Sequence, residues 1–152
     1  MTNAILIANV KELIIRLQDA VKGYQEIAQG ISNPILSKWM LNYASEREEF
    51  RIELENFCHQ FGAYPDVRTS ILGDLHRVFI DIKLNVVDEN YDVIVAEIER
   101  GSHVLIQDYN QLISSYNLNP QLSHLLVSQR NIIKKELTNL LELKEKMSLE
   151  MA

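Results

Sequence analysis

The chain has 152 residues, of which 47% are hydrophobic and 24% charged, a composition that fits one globular domain with a buried core. Its formal net charge of −6 and its sequence pI near 5.2 disfavour contact with nucleic-acid phosphates, so we expect no nucleic-acid partner. Cys58 is the only cysteine, which excludes an intrachain disulfide and a thiolate metal cluster.

The N-terminal segment and the apolar runs predict a cytoplasmic protein that does not enter a membrane. The first residues carry no basic region, and Lys11 with Glu12 interrupts the apolar positions early, which argues against a signal peptide. No apolar run approaches the roughly 18 residues that a membrane-spanning helix needs. The single cysteine fits the same compartment, a reducing cytosol.

Helical periodicity runs through almost the whole chain and predicts five helices, with no strand pattern and no internal repeat. The first helix spans about Asn3 to Gly30. The second begins at Asn33-Pro34, an N-cap followed by a proline at the first helical position, and ends at Gly62. A shorter third helix is predicted from about Ser70 to Val87.

The last two predicted helices also have start signals. Asp88 or Asn90 can cap the fourth helix, and Asn119-Pro120 repeats the cap-then-proline signal for the fifth, which continues to about Met147. Each helix carries an apolar stripe at helical spacing. In the second helix the stripe comprises Leu36, Trp39, Tyr43, Phe50, Leu54, Phe57 and Phe61.

The lengths of the connections predict how the helices are arranged. Two or three residues separate the first helix from the second and the fourth from the fifth, and connections that short make neighbouring helices antiparallel. We therefore predict an all-α fold, a single domain over residues 1–152 that forms an antiparallel four-helix bundle with one additional shorter helix. Periodicity leaves open whether the third helix joins the bundle or crosses its outside.

Several polar residues lie on or beside the apolar stripes. Gln129 falls on the apolar line of the fifth helix, and Glu136 lies close to that line two turns later. In the second helix three charged residues flank Phe50: Glu46, Arg47 and Glu53. One hypothesis is a hydrogen-bonded network in which Arg47 neutralises Glu46, Glu53 or Glu136 and glutamines bridge neighbouring helices, because buried polar groups need partners.

The alternative hypothesis is a carboxylate-bridged iron site. Di-iron bundles take a glutamate from each of two helices and Glu-x-x-His from each of the other two. The candidate ligands are Glu46, Glu53, Glu97 and Glu136, with His76 as the nitrogen donor. Glu-x-x-His does not occur in the chain and the first helix presents no inward carboxylate, so a smaller site with one ion at Glu97 or Glu136 and His76 is the variant left open. A metal site predicts that these side chains converge, whereas a network predicts Arg47 or a glutamine at the same centre.

A family resemblance rests on residues spread over most of the chain. They are Lys22-Gly23-Tyr24, Glu46-Arg47, Phe50, Glu53-Leu54, Gly62, Pro65, Ser70, Gly73, Leu75-His76-Arg77, Asp81, Lys83, Glu97, Glu99-Arg100-Gly101, Tyr109 and Gln129. In this order they make the chain resemble a bacterial ferritin-like four-helix-bundle family of unknown function. The resemblance implies a ferritin-like bundle and a bacterial source, and it implies no reaction.

The chain departs from the pattern of that family in two places. Ser102-His103 stands where acidic residues are expected after the Arg-Gly of the fourth helix, and no histidine follows His124 in the fifth. We therefore expect a bundle without catalytic activity and without a cofactor, acting as an interaction or stress-associated accessory protein. The alternatives are a di-iron protein that oxidises or stores iron and a homo-oligomer that uses an exposed apolar strip.

Overall fold

A computed structural model of the protein describes residues 3–64, 82, 90–115 and 117–150. This part of the chain is helical and contains no strand. Its four long helices are α1 (Asn3–Gly30), α2 (Pro34–Gln60), α3 (Tyr91–Ile113) and α4 (Pro120–Glu150). They match the first, second, fourth and fifth predicted helices. The predicted third helix, Ser70 to Val87, lies outside the described residues apart from Ile82, which is helical and buried.

Two asparagines start α2 and α4 as their Asn-Pro sequences predict. Asn33 Oδ1 accepts hydrogen bonds from the backbone N–H groups of Ile35 and Leu36, at 2.9 and 3.2 Å. Asn119 Oδ1 accepts two bonds of the same lengths from the first turn of α4. The proline after each asparagine costs nothing there, because the first N–H groups of a helix have no partner within the helix.

The ends of α2 and α3 follow from local chemistry as well. Of the two predicted caps for α3, Asn90 is the N-cap, and its side chain accepts a hydrogen bond from Val93 N at 3.4 Å. Helix α2 ends at Gln60, and Gly62 then has a φ of +71°, a left-handed conformation that glycine adopts at little cost. The prediction that Phe61 belongs to the buried stripe is wrong: as the C-cap it leaves the helical periodicity, and it is 49% exposed.

The four helices pack as a square. Within the described residues α1 packs against α2 and α3, and α4 packs against α2 and α3, whereas no Cα atoms of the diagonal pairs α1–α4 and α2–α3 lie within 8 Å of each other. The predicted antiparallel hairpins are therefore neighbours, α1 with α2 and α3 with α4. The remaining two sides of the square are formed between the hairpins.

Contacts between the hairpins fix the direction of each helix. Helices α1 and α3 are antiparallel, because Arg16 pairs with Asp108 whereas Tyr24, later in α1, bonds to Ser102, which is earlier in α3. On the opposite side Arg47 of α2 pairs with residue 136 of α4, and the later residue Phe50 contacts residue 129. All four neighbouring pairs are thus antiparallel, which gives an up-down-down-up order. The end of α2 and the beginning of α3 consequently lie at opposite ends of the bundle.

Apolar side chains from all four helices meet along the axis of the bundle. Among the described residues three polar side chains are buried within this core: Arg47, Ser102 and Gln129. Burial of Gln129 confirms the prediction from the periodicity of the last helix. None of the described helices contains an apolar stretch long enough to cross a membrane.

Candidate functional site

Arg47 lies at the centre of a polar cluster inside the bundle. Its side chain is 1% exposed, and Nη1 donates hydrogen bonds to both carboxylate oxygens of Glu136, at 2.7 and 3.3 Å. Oε2 of Glu46 lies 3.8 Å from the same nitrogen. Helix α2 supplies Glu46 and Arg47 and α4 supplies Glu136, so the cluster joins two neighbouring helices. A buried guanidinium needs such an anionic partner, because desolvation of an unpaired charge is costly.

Three aromatic rings surround the guanidinium. The centroids of Tyr24, Tyr43 and Phe50 lie 5.9, 5.5 and 5.9 Å from Cζ of Arg47. The negative faces of aromatic rings attract a cation, and this attraction is strongest where water is excluded. The rings therefore replace part of the hydration that Arg47 loses on folding.

Gln129 lies two turns before Glu136 on α4 and extends the polar network. Its Oε1 accepts a hydrogen bond from the hydroxyl of Tyr109 at 2.6 Å, and its Nε2 donates to the backbone oxygen of Phe50 at 3.2 Å. The same Nε2 lies 3.4 Å from Oε1 of Glu53. The amide thus has partners on α2 and α3, which explains why a glutamine is tolerated on an apolar line.

Burial shifts the pKa values of the cluster. Desolvation raises the pKa of Glu136 to about 8, the positive charge of Arg47 offsets part of that rise, and the nearby carboxyl group of Glu46 adds to it. Burial alone would lower the pKa of Arg47, but the carboxylate of Glu136 raises it above its ordinary value. Burial also raises the pKa of Tyr24 and of Tyr43, so both hydroxyls stay neutral.

The structure brings together some of the predicted metal ligands and separates others. Glu46 and Glu136 meet at Arg47, and Glu53 lies beside Gln129. Glu97 instead accepts a hydrogen bond from Nε of Arg100 on its own helix, at 2.9 Å, near the surface. The fifth candidate, His76, lies outside the described residues.

The cation at the centre of the described carboxylates is an arginine. The guanidinium of Arg47 stands between the carboxylates of α2 and α4, where a cationic metal would need the same oxygens. Among the described residues no group of three or more His, Cys, Asp or Glu side chains is placed to hold a metal ion. An arginine at the centre is what the network hypothesis predicts, and the salt bridge to Glu136 is one of the pairs that it proposed.

Sequence reasoning missed the hydroxyl groups of the cluster. Tyr24, Tyr43 and Tyr109 fit the apolar stripes, and all three are buried. The phenol of Tyr109 binds Gln129, and that of Tyr24 binds Ser102 on α3. A tyrosine on a buried stripe signals such a partner, since its hydroxyl rarely stays unpaired in a core. The expectation of a partner holds for Tyr24 and Tyr109, whereas the hydroxyl of Tyr43 is buried with no hydrogen-bond partner among the described residues.

Comparison with known proteins places the chain in a family. A family model described as Domain of unknown function (DUF2383) matches residues 6–115, well over half of the chain. The chain belongs to this family. The DUF2383 match covers α1, α2 and α3 and includes Arg47, whereas Glu136 and Gln129 lie beyond it on α4. No curated protein and no solved structure matches the chain.

Proposed function

We propose that the protein is a bacterial, cytoplasmic ferritin-like bundle in which an internal ion pair takes the place of a metal centre. In this proposal it has no catalytic activity and acts as an interaction or stress-associated accessory protein. The observation that carries the proposal is the buried pair of Arg47 and Glu136, with N–O distances of 2.7 and 3.3 Å. A fixed guanidinium is a permanent cation, so the carboxylates need no metal to balance their charge.

The order of the helices supports the ferritin-like part of the proposal. Ferritin-like folds are four-helix bundles with one long crossover connection. Here the two short connections join antiparallel neighbours, while residues 61–90 connect opposite ends of the bundle. Fold alone assigns no chemistry, so the proposed absence of catalysis rests on Arg47 and not on the helix order.

Elemental analysis tests the proposal directly. The protein is expressed with added iron, purified without chelators and assayed for bound metals. We expect far less than one metal ion per chain, unchanged by Glu136→Ala, because Arg47 already neutralises that carboxylate. Glu142→Ala on the exposed face of α4 is the matched control.

An iron protein is the second candidate, and the proximity of Glu46 and Glu136 favours it. These two carboxyl groups come from neighbouring helices and lie at the same nitrogen of Arg47, and two carboxylates placed so close could bridge an ion. About one or two iron atoms per chain, lost on Glu136→Ala and kept in the Glu142→Ala control, would establish this candidate and overturn the metal-free proposal. His76→Ala in the same assay would then report whether His76 supplies the nitrogen ligand.

The proposed accessory role also bears on the oligomeric state of the protein. A bundle that works through contacts with other molecules either pairs with itself or remains a monomer that awaits a different partner. Static light scattering distinguishes these two possibilities, because a mass of 17.6 kDa means a monomer and twice that mass means a homodimer.

A further inference from the structure

A cavity of about 390 Å³ opens between α1 and α3, and none of its lining residues belongs to the polar cluster around Arg47. Its walls are two stripes, one from α1 and one from the end of α3 together with Ser115 just after it, and both follow the spacing i, i+3, i+4 and i+7. Each stripe consists of one leucine and three polar residues. The cavity thus has an apolar strip along its base and polar groups around it.

Polar side chains explain why the line of contact between α1 and α3, which we call the seam, is open at the cavity. Elsewhere along the same two helices the seam is closed by the buried contact between Tyr24 and Ser102. At the cavity, tight packing would bury polar groups such as Glu12 and Gln111 without enough partners, which costs free energy. The helices remain apart and the polar groups stay in contact with solvent.

The chemistry of the lining points to one class of ligand. Leu13 and Leu112, 2% and 5% exposed, form an apolar floor. An ion pair between Arg16 and Asp108 bridges the two helices, so the charge of each is met by the other. The carboxylate of Glu12 adds a further negative charge, and two carboxylates against one guanidinium leave the lining with a net charge of −1.

We propose that this cavity binds a small aliphatic amine, with the alkyl chain on Leu13 and Leu112 and the ammonium group at the carboxylate of Glu12. The volume of about 390 Å³ falls within the range of about 300–1,000 Å³ typical of small-molecule sites. Hydrogen bonds to a charged group are the strong ones, and the net charge of −6 on the chain favours a cation over an anion.

An NMR titration tests this site. The ¹⁵N-labelled protein is titrated with n-butylamine, a cation at neutral pH, and with butyrate, an anion of matched chain length. We expect saturable shifts at the lining residues with n-butylamine and binding about tenfold weaker with butyrate. Glu12→Gln should weaken n-butylamine about tenfold, since it removes the charge and keeps the shape.

Two further variants separate a site from general attraction to an acidic surface. Glu142→Gln removes the same charge on the exposed face of α4 and should leave binding unchanged. Gln111→Trp fills the cavity from an exposed position and should abolish the shifts while far-UV circular dichroism stays that of the wild type. Equal weakening by Glu142→Gln and Glu12→Gln, shifts that do not saturate, or binding of butyrate as tight as that of n-butylamine would overturn the proposal.

Discussion

Among the described residues, Arg47 is the one charged side chain that is fully buried. It is 1% exposed, and its guanidinium contacts Glu136 and three aromatic rings. Removing one partner of a buried ion pair leaves the other charge without compensation. We therefore expect Arg47→Met to lower the free energy of unfolding by about 3 kcal/mol, measured by urea denaturation at a pH above the pKa of Glu136, where its carboxylate is ionised.

Two companion variants show whether that loss comes from the broken pair. Arg47→Met combined with Glu136→Leu should recover stability to within about 1 kcal/mol of the wild type, because apolar side chains can replace a buried pair. Arg100→Met makes the same change in a surface pair with Glu97 and should cost less than about 1 kcal/mol. A double variant as unstable as Arg47→Met alone would contradict this account.

The hydroxyl of Tyr109 offers a test of the second polar contact. It donates a 2.6 Å hydrogen bond to Gln129 inside the core. Tyr109→Phe leaves the amide oxygen of Gln129 without that donor, so we expect a loss of about 1–2 kcal/mol in the free energy of unfolding. Tyr64→Phe, the same change at a side chain that is 76% exposed, should have no measurable effect.

Glu136 makes stability depend on pH. Burial raises its folded-state pKa from 4.5 to about 8, so the folded protein holds this proton more tightly than the unfolded chain. Its contribution is fully present below about pH 4.5 and is lost as the pH rises through about 8. We expect the wild type to lose stability relative to Glu136→Gln between these pH values, as followed by thermal unfolding. A difference that does not change with pH would show that Glu136 keeps an ordinary pKa.

At the scale of secondary structure, the Asn-Pro signals account for two helix starts. Asn33 accepts two backbone hydrogen bonds from the first turn of α2. Asn33→Ala should therefore cost about 1 kcal/mol, the usual effect of losing an N-cap, in urea denaturation. Asn42→Ala, at an exposed position within the same helix, should change stability by less than about 0.5 kcal/mol. Equal effects of the two variants would argue against capping.

At the scale of the molecule, the up-down-down-up order predicts which helices can be crosslinked. In a Cys58→Ala background, Arg16→Cys with Asp108→Cys places thiols on α1 and α3, which are neighbours joined by an ion pair. A short bismaleimide should link this pair efficiently, as seen by gel mobility after proteolysis between the helices. Arg16→Cys with Arg130→Cys places the second thiol on the diagonal helix α4 and should react poorly. The opposite preference would mean that α1 and α3 are diagonal.

Sequence alone determined the four described helices and much of their pairing. Periodicity, two Asn-Pro caps and two short connections act over a few residues, and they gave the bounds of α1 and the starts of α2 and α4. The same rules failed at Phe61, where a C-cap interrupts the period of the helix. They also placed Arg47 and Gln129 on or beside the apolar stripes, and both are buried.

Only the tertiary structure decided which of these polar groups meet. The stripes predict that Glu46 and Glu136 lie near an apolar face, but their partners depend on which helices are neighbours and on how far each residue lies along the bundle axis. Antiparallel packing of α2 on α4 sets Arg47 against Glu136, across 89 positions of sequence, while Glu97 turns to Arg100 on its own helix. The width of the seam between α1 and α3 arises in the same way, because helical spacing fixes the side chains of each wall and packing fixes the distance between the walls.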